Sequence, residues 1–135
     1  MTVLFDGCAE NYNQQYDTFN DFNKVNQRNK GWFPAIINSD AYDLKNVSYL
    51  DSLTAFGSFN YVENNFYDSI FVSPKTKRIE FSLFEQKVNE HSNRKPNWLI
   101  NWNTSSEHEF ETIQRKGFYF CIQINEKKIY FVLYK

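Results

Sequence analysis

The side chains best suited to catalysis or metal binding in this chain are His91, His108, Cys8 and Cys121, its only histidines and cysteines. A zinc site needs His, Cys and carboxylates at tight spacing, and these four have none. His91 stands in a polar stretch between Glu90 and Ser92, and His108 between Glu107 and Glu109. Either could serve as a general base in a dispersed site with Tyr or Glu, but a solvated histidine is the simpler reading. Nucleophile-elbow and cofactor fingerprints are missing. The four glycines, Gly7, Gly31, Gly57 and Gly117, build neither a phosphate loop nor a dinucleotide turn. Glu80 and Glu85 are an odd number of residues apart, so on one strand they face opposite ways and do not form a glycosidase pair. No enzyme class and no cofactor is indicated.

Charge is the more informative pattern. Between Asp40 and Asp68 the chain carries Asp40, Asp43, Asp51, Glu63 and Asp68 against Lys45, with Tyr42, Tyr49, Tyr61 and Tyr67 interspersed. Acid steers the approach of a basic partner, and tyrosine rings supply anchors. Candidate partner-binding residues are therefore Asp43, Tyr49, Asp51, Tyr61, Glu63 and Asp68. Three basic clusters, Lys75 with Lys77 and Arg78, Arg94 with Lys95, and Lys127 with Lys128, could contact phosphates. Solvated charge at turn tips explains them as well. The net charge of −1 supplies no overall attraction to nucleic acid or anionic lipid.

The elements that position these residues are read from periodicity. The clearest is Gly117–Lys135, GFYFCIQINEKKIYFVLYK, in which two alternating β-branched and aromatic runs flank a polar turn at Asn125–Lys128. Phe118, Phe120 and Ile122 share one strand face, and Ile129, Phe131 and Leu133 answer them on the other strand. A lone hairpin is marginal in water, so upstream elements must cover it. Tyr12, Tyr16, Phe19 and Phe22 recur at helical steps, with acid early, base late and Gly31 as a stop, which predicts a helix over 8–29. Leu44, Val47, Leu50, Leu53 and Phe56 predict a second helix over 42–56. Trp32–Ile37 reads as an edge strand or linker because of Pro34.

Residues 69–73 and 77–84 predict a second hairpin around Pro74, and 98–102 a further strand. Ser106 and Glu109 have capping-box spacing and Gly117 sits where a helix C′ residue would, which predicts a helix over 106–116.

At 135 residues, with fourteen Phe and nine Tyr, the chain suffices for one domain, 1–135, with an aromatic core and no need of disulfide or metal. Two reduced thiols are expected, with a Cys8–Cys121 bridge as the alternative. The first residues lack the basic and apolar regions of a signal peptide, and no run is long enough to span a membrane, so a cytoplasmic location is the default. Asn makes up about one residue in eight, which points to AT-rich coding DNA and a low-GC bacterium.

The expected fold is α+β: N-terminal helices packed on an antiparallel sheet of about four to six strands, ending in a helix plus the C-terminal hairpin. The expected function is a non-enzymatic protein-binding module of the bacterial immunity-protein kind, masking a basic toxin such as a nuclease. It would act as a monomer or weak dimer, without membrane or nucleic acid. The alternatives are a small enzyme or toxin domain using His, Tyr or Glu, and a small-ligand binder with an aromatic cavity near Trp98 and Trp102.

Overall fold

The computed structural model describes residues 2–5, 11–25, 31–90, 94–99 and 110–134. Eight strands form one antiparallel sheet: β1 (Thr2–Phe5), β2 (Asn11–Thr18), β3 (Tyr42–Tyr49), β4 (Thr54–Asn60), β5 (Lys77–Arg78), β6 (Phe110–Arg115), β7 (Phe118–Gln123) and β8 (Lys128–Tyr134). Their order is β1-β2-β3-β4-β8-β7-β6-β5. Three α-helices accompany them among the described residues: α1 (Phe19–Lys24), α2 (Asn64–Phe71) and α3 (Phe81–Asn89). The class is α+β with an antiparallel sheet, as its composition implies. The sheet is wider than the expected four to six strands.

Both faces of the sheet are covered. On one, Tyr16, Leu44, Phe59, Ile113, Phe120, Ile122, Ile129 and Phe131 pack against Phe22 of α1, Phe33, Ile36 and Ile37 of the following segment, and Tyr67 and Ile70 of α2. On the other, Val47, Phe56, Cys121, Tyr130 and Val132 pack against Phe84 and Val88 of α3 and against Leu99. The terminal hairpin forms as its alternation dictates, with Phe118 opposite Leu133 and Gln123 opposite Lys128. A 3₁₀ turn, Ile124–Glu126, and left-handed Lys127 close it. Cys121 is a free, buried thiol, and burial pushes its pKa far up. Cys8 lies outside the described residues.

Several expectations are corrected. The helix expected over 8–29 is a strand, β2, followed by the short α1. A four-residue step satisfies both a strand period and a helix period, so Tyr12 and Tyr16 could not discriminate. Buried Gln14 lies between them and accepts from the Tyr16 hydroxyl at 2.9 Å. The helix begins where a true cap appears, with the Asp21 N–H donating to Thr18 Oγ1 at 3.2 Å.

The helix expected over 42–56 is the β3–β4 hairpin. Its alternation was masked because Asn46 and Ser48 are buried on the core side, while Leu50 and Leu53 are exposed in the turn. Asn46 is satisfied there, donating to the Trp32 carbonyl at 2.9 Å and accepting from the Ser48 hydroxyl. Trp32–Ile37 forms turns rather than an edge strand.

The hairpin expected over 69–84 is α2, the two-residue β5 and α3. Asn64–Asn65, a pair that by residue type suits a turn, opens α2, because the Glu63 carboxylate accepts from the Asn65 N–H at 3.0 Å. The helix expected over 106–116 is strand β6 from Phe110 onward, and 106–109 lie outside the described residues. Lys116 and Gly117, with φ of 52° and 82°, join β6 to β7 as a two-residue hairpin turn. Gly117 thus supplies positive φ to a hairpin, not to a helix end. Of the strand expected over 98–102, Trp98 and Leu99 lie in a turn, and 100–102 fall outside the described residues.

Candidate functional site

The six candidate residues divide between opposite ends of the β3–β4 hairpin, roughly 20 Å apart along the strands. At the turn end, Asp51 pairs with both terminal nitrogens of Arg94, at 2.6 and 2.7 Å. Arg94 also lies over the Tyr49 ring at 4.8 Å, and the Tyr49 hydroxyl donates to the Arg94 carbonyl at 2.9 Å. This is a bidentate, stacked clamp tying residue 94 to the hairpin. The Arg94 hydrogen bond holds the Asp51 carboxyl below its usual pKa. Burial raises the Tyr49 phenol, with Arg94 opposing and Asp51 reinforcing. Asp51 and Tyr49 are thus occupied within the chain.

The other four stand at the opposite end. Tyr61 is buried, its ring 4.3 Å from that of Tyr67, and burial followed by Asp68 raises its phenol pKa. It is a core residue. Glu63 is exposed and caps α2, and Asp68 is exposed on that helix. Asp43 has φ of 52° at a register shift in β3. Asp40 orders the chain here: its Oδ2 accepts from the N–H groups of Val62 at 3.2 Å and Glu63 at 2.6 Å.

Around these carboxylates lie Tyr42, one of the interspersed tyrosines though not among the six candidates, and two apolar side chains, Val62 and Ile124, that the charge pattern did not point to. Tyr42, Val62 and Ile124 are 44%, 58% and 45% exposed. Register and hydrogen bonds bring them to one end of the sheet. Tyr42 pairs with Asn60, which pairs with Lys128. The Lys127 ammonium donates to the Val62 carbonyl at 3.2 Å, and the Lys127 N–H donates to the Ile124 carbonyl. Glu126 adds a fourth acid beside Asp43, Glu63 and Asp68. Val62 carried no signal, and Ile124, which alternation places on the apolar strand face with Phe118, Phe120 and Ile122, lies exposed in the 3₁₀ turn instead.

The lysines at this end are partly engaged. Lys128 lies over the Tyr130 ring at 5.4 Å and Lys45 over Trp98 at 5.9 Å. Burial depresses the Lys128 pKa, Lys45 adds to this, and Asp43 and Glu126 oppose it. One arginine in each of two basic clusters is used within the chain, Arg78 pairing with Glu111 and Arg94 with Asp51.

A separate cavity of about 410 Å³ opens on the α2 face, between the segment at 31–36, α2 and the β6–β7 hairpin. It is not the cavity expected near Trp98 and Trp102: Trp98 packs against the α3-side core, and Trp102 lies outside the described residues, as do His91 and His108. Among the described residues no three His, Cys, Asp or Glu side chains converge on a metal-sized site, and no helix is long and apolar enough to cross a membrane.

Residues 10–60, under half of the chain, match the YbbD head domain family. The matched stretch runs from β2 through the β3–β4 hairpin and includes Tyr42, Asp43, Tyr49 and Asp51, but not α2 or the cavity-forming β6–β7 hairpin. No curated protein and no solved structure matches the chain.

Proposed function

We propose that this domain is a non-enzymatic, cytoplasmic binding module of the bacterial immunity-protein kind. It neutralises a basic protein, such as a nuclease toxin, by covering it. The observation that carries this reading is the end of the sheet where exposed Tyr42, Val62 and Ile124 are rimmed by Asp43, Glu63, Asp68 and Glu126. An apolar centre within a charged rim is the anatomy of a docking surface. The rim carboxylates steer a cationic partner toward it and speed association at low salt. Relative to the candidates taken from sequence, Asp43, Glu63 and Asp68 remain in the surface. Asp51, Tyr49 and Tyr61 support the fold instead.

The test is co-expression with the product of the adjacent gene, reading growth protection and the affinity of the purified pair at 50 and 300 mM salt. Asp68→Lys and Glu126→Lys reverse exposed charges, and Tyr42→Ser removes an anchor, without touching the core. Loss of protection and a salt-sensitive affinity that falls in all three variants support the reading. A pair that forms equally well with all three variants places the interface elsewhere. Failure to form any pair removes the adjacent gene product as the target and the inhibitor reading with it.

A further inference from the structure

We infer that the cavity on the α2 face is a binding site for a small aromatic monocarboxylate, at a place distinct from the docking surface. Its volume of about 410 Å³ falls within the roughly 300–1,000 Å³ of small-molecule sites. The walls are rings and branched aliphatics: Phe33, Ile36, Phe66, Ile70, Phe118 and Phe120. Four phenyl rings around one void favour a flat ring, which can meet them by stacking and edge contacts.

The polar side of the cavity is cationic. Arg115 and Lys116 are both among its lining residues. Arg115 is held in place by a relay: its Nη1 donates to Thr76 Oγ1 at 3.1 Å, and the Thr76 hydroxyl donates to the Ile70 carbonyl at 2.7 Å. Thr76 is a neutral acceptor, and among the described residues Arg115 forms no ion pair. A guanidinium carries five donors in a rigid fork that matches a carboxylate in bidentate fashion. Lys116 stands beside it at the hairpin turn, exposed, with its backbone held at φ of 52°. An apolar chamber with a fixed guanidinium and a second cation at its edge selects an amphiphile whose charge sits at one end. A bare phosphate would leave the ring-lined part unfilled, and a neutral hydrocarbon would leave Arg115 without a counter-charge.

The experiment is calorimetric titration of the full chain with 1-naphthoate and with its uncharged counterpart 1-naphthamide. Naphthoate is expected to bind saturably, and naphthamide roughly tenfold or more weakly, because the charge-assisted pair with Arg115 is lost. Arg115→Gln should weaken naphthoate by a similar factor and bring the two probes level. Ala35→Trp, at an exposed position on the cavity wall, should plug the site and abolish binding of both. Phe66→Trp is a second plug, from the α2 side of the lining. Thermal melts establish that each variant is folded. The proposal is overturned if folded wild-type chain shows no saturable naphthoate binding. Equal binding of the two probes, or binding that survives Arg115→Gln and both plugs unchanged, overturns it as well.

Discussion

Gly57→Ala should destabilise this protein by about 1–2 kcal/mol, although glycine in a strand interior is ordinarily the poorer residue. Gly57 on β4 lies opposite Phe131 on β8. A Cβ at position 57 would fall 2.0 Å from Phe131 Cζ and 2.5 and 2.6 Å from the two Cε atoms. The ring must therefore withdraw by well over an ångström. It has little room to do so: Phe33, Phe59, Phe118 and Phe120 surround it, with ring centroids at 6.0, 6.3, 5.8 and 6.4 Å. Overpacking of this kind costs about 1–3 kcal/mol, sometimes more. The reduced freedom of the unfolded chain returns only about 0.4–1 kcal/mol. Phe131→Leu alone should cost about 1–2 kcal/mol by shrinking a buried side chain. In the double variant the clash disappears, so the two effects should fall short of additivity by about 2 kcal/mol. Urea unfolding followed by far-UV circular dichroism and by tryptophan fluorescence reads all four corners of the cycle. A neutral or stabilising Gly57→Ala, or strict additivity with Phe131→Leu, would refute the reasoning. Because Phe33, Phe118 and Phe120 also line the cavity, naphthoate affinity should fall in Gly57→Ala and recover in part in the double variant.

Three further outcomes are expected. In Arg94→Met the Asp51 carboxyl should return toward its ordinary pKa, seen by carbon-detected NMR titration. The depressed folded pKa means that its stabilising contribution is present above the ordinary carboxylate range and lost as pH falls through the folded value, so the variant should differ least from wild type in acid. Cys121, buried with its thiol pKa raised by desolvation, should react with a thiol reagent in a Cys8→Ser background only at the rate of global opening; fast labelling at pH 8 would show the α3 side of the sheet to be open. Lys128 has a folded pKa below its unfolded value. Protonation is therefore favoured in the unfolded chain, and the stability of wild type relative to Lys128→Met should rise with pH from the folded value up to about 10.4. A flat difference between urea midpoints across that range would show that Lys128 is solvated.

What was legible in the sequence was the part whose pattern admits one period. In β7 and β8 nearly every position is apolar or aromatic and alternates about a four-residue connection, and the register follows. Elsewhere two periods coexist. Tyr12 and Tyr16 fit helix and strand alike, and the tie is broken by Gln14, a polar residue the core accepts only because the Tyr16 hydroxyl meets it. In β3, Asn46 and Ser48 occupy the buried face and Leu50 and Leu53 the exposed turn, so the hydrophobic pattern runs against the true one. The stretch Ser69–Ser73 has strand-forming residues, yet α2 takes most of it, because Tyr67 and Ile70 find their burial at helical spacing and Glu63 caps the start. Tertiary packing overrides local preference in each case. The acidic and tyrosine-rich character of 40–68 was visible as composition. Its division between two ends of a hairpin was not, because a stretch read as helix gives no hint that residues 43 and 51 are carried away from one another.

α2 contributes both to the cavity wall and to the acidic end of the sheet. Its eight residues are too few to hold a helix in water unaided, so its position comes from contacts. Tyr67 packs on Phe59 and Tyr61, and its hydroxyl accepts from the Asn38 N–H at 3.3 Å. Ile70 is buried against the sheet, and its carbonyl receives Thr76, which in turn receives Arg115. One side of the helix therefore lines the cavity through Phe66 and Ile70, while its N-terminus and outer side present Glu63 and Asp68. A ligand that fills the cavity presses on the element that displays half of the acidic rim. If both proposals hold, a ligand that fixed α2 would lower the ordering cost to a docking partner, and linkage would make that benefit equal in both directions. The ligands proposed for the two places differ, a carboxylate for the cavity and a basic protein for the sheet end. The two places are mechanically joined by a helix whose seating rests on Tyr67, Ile70 and the Thr76 relay.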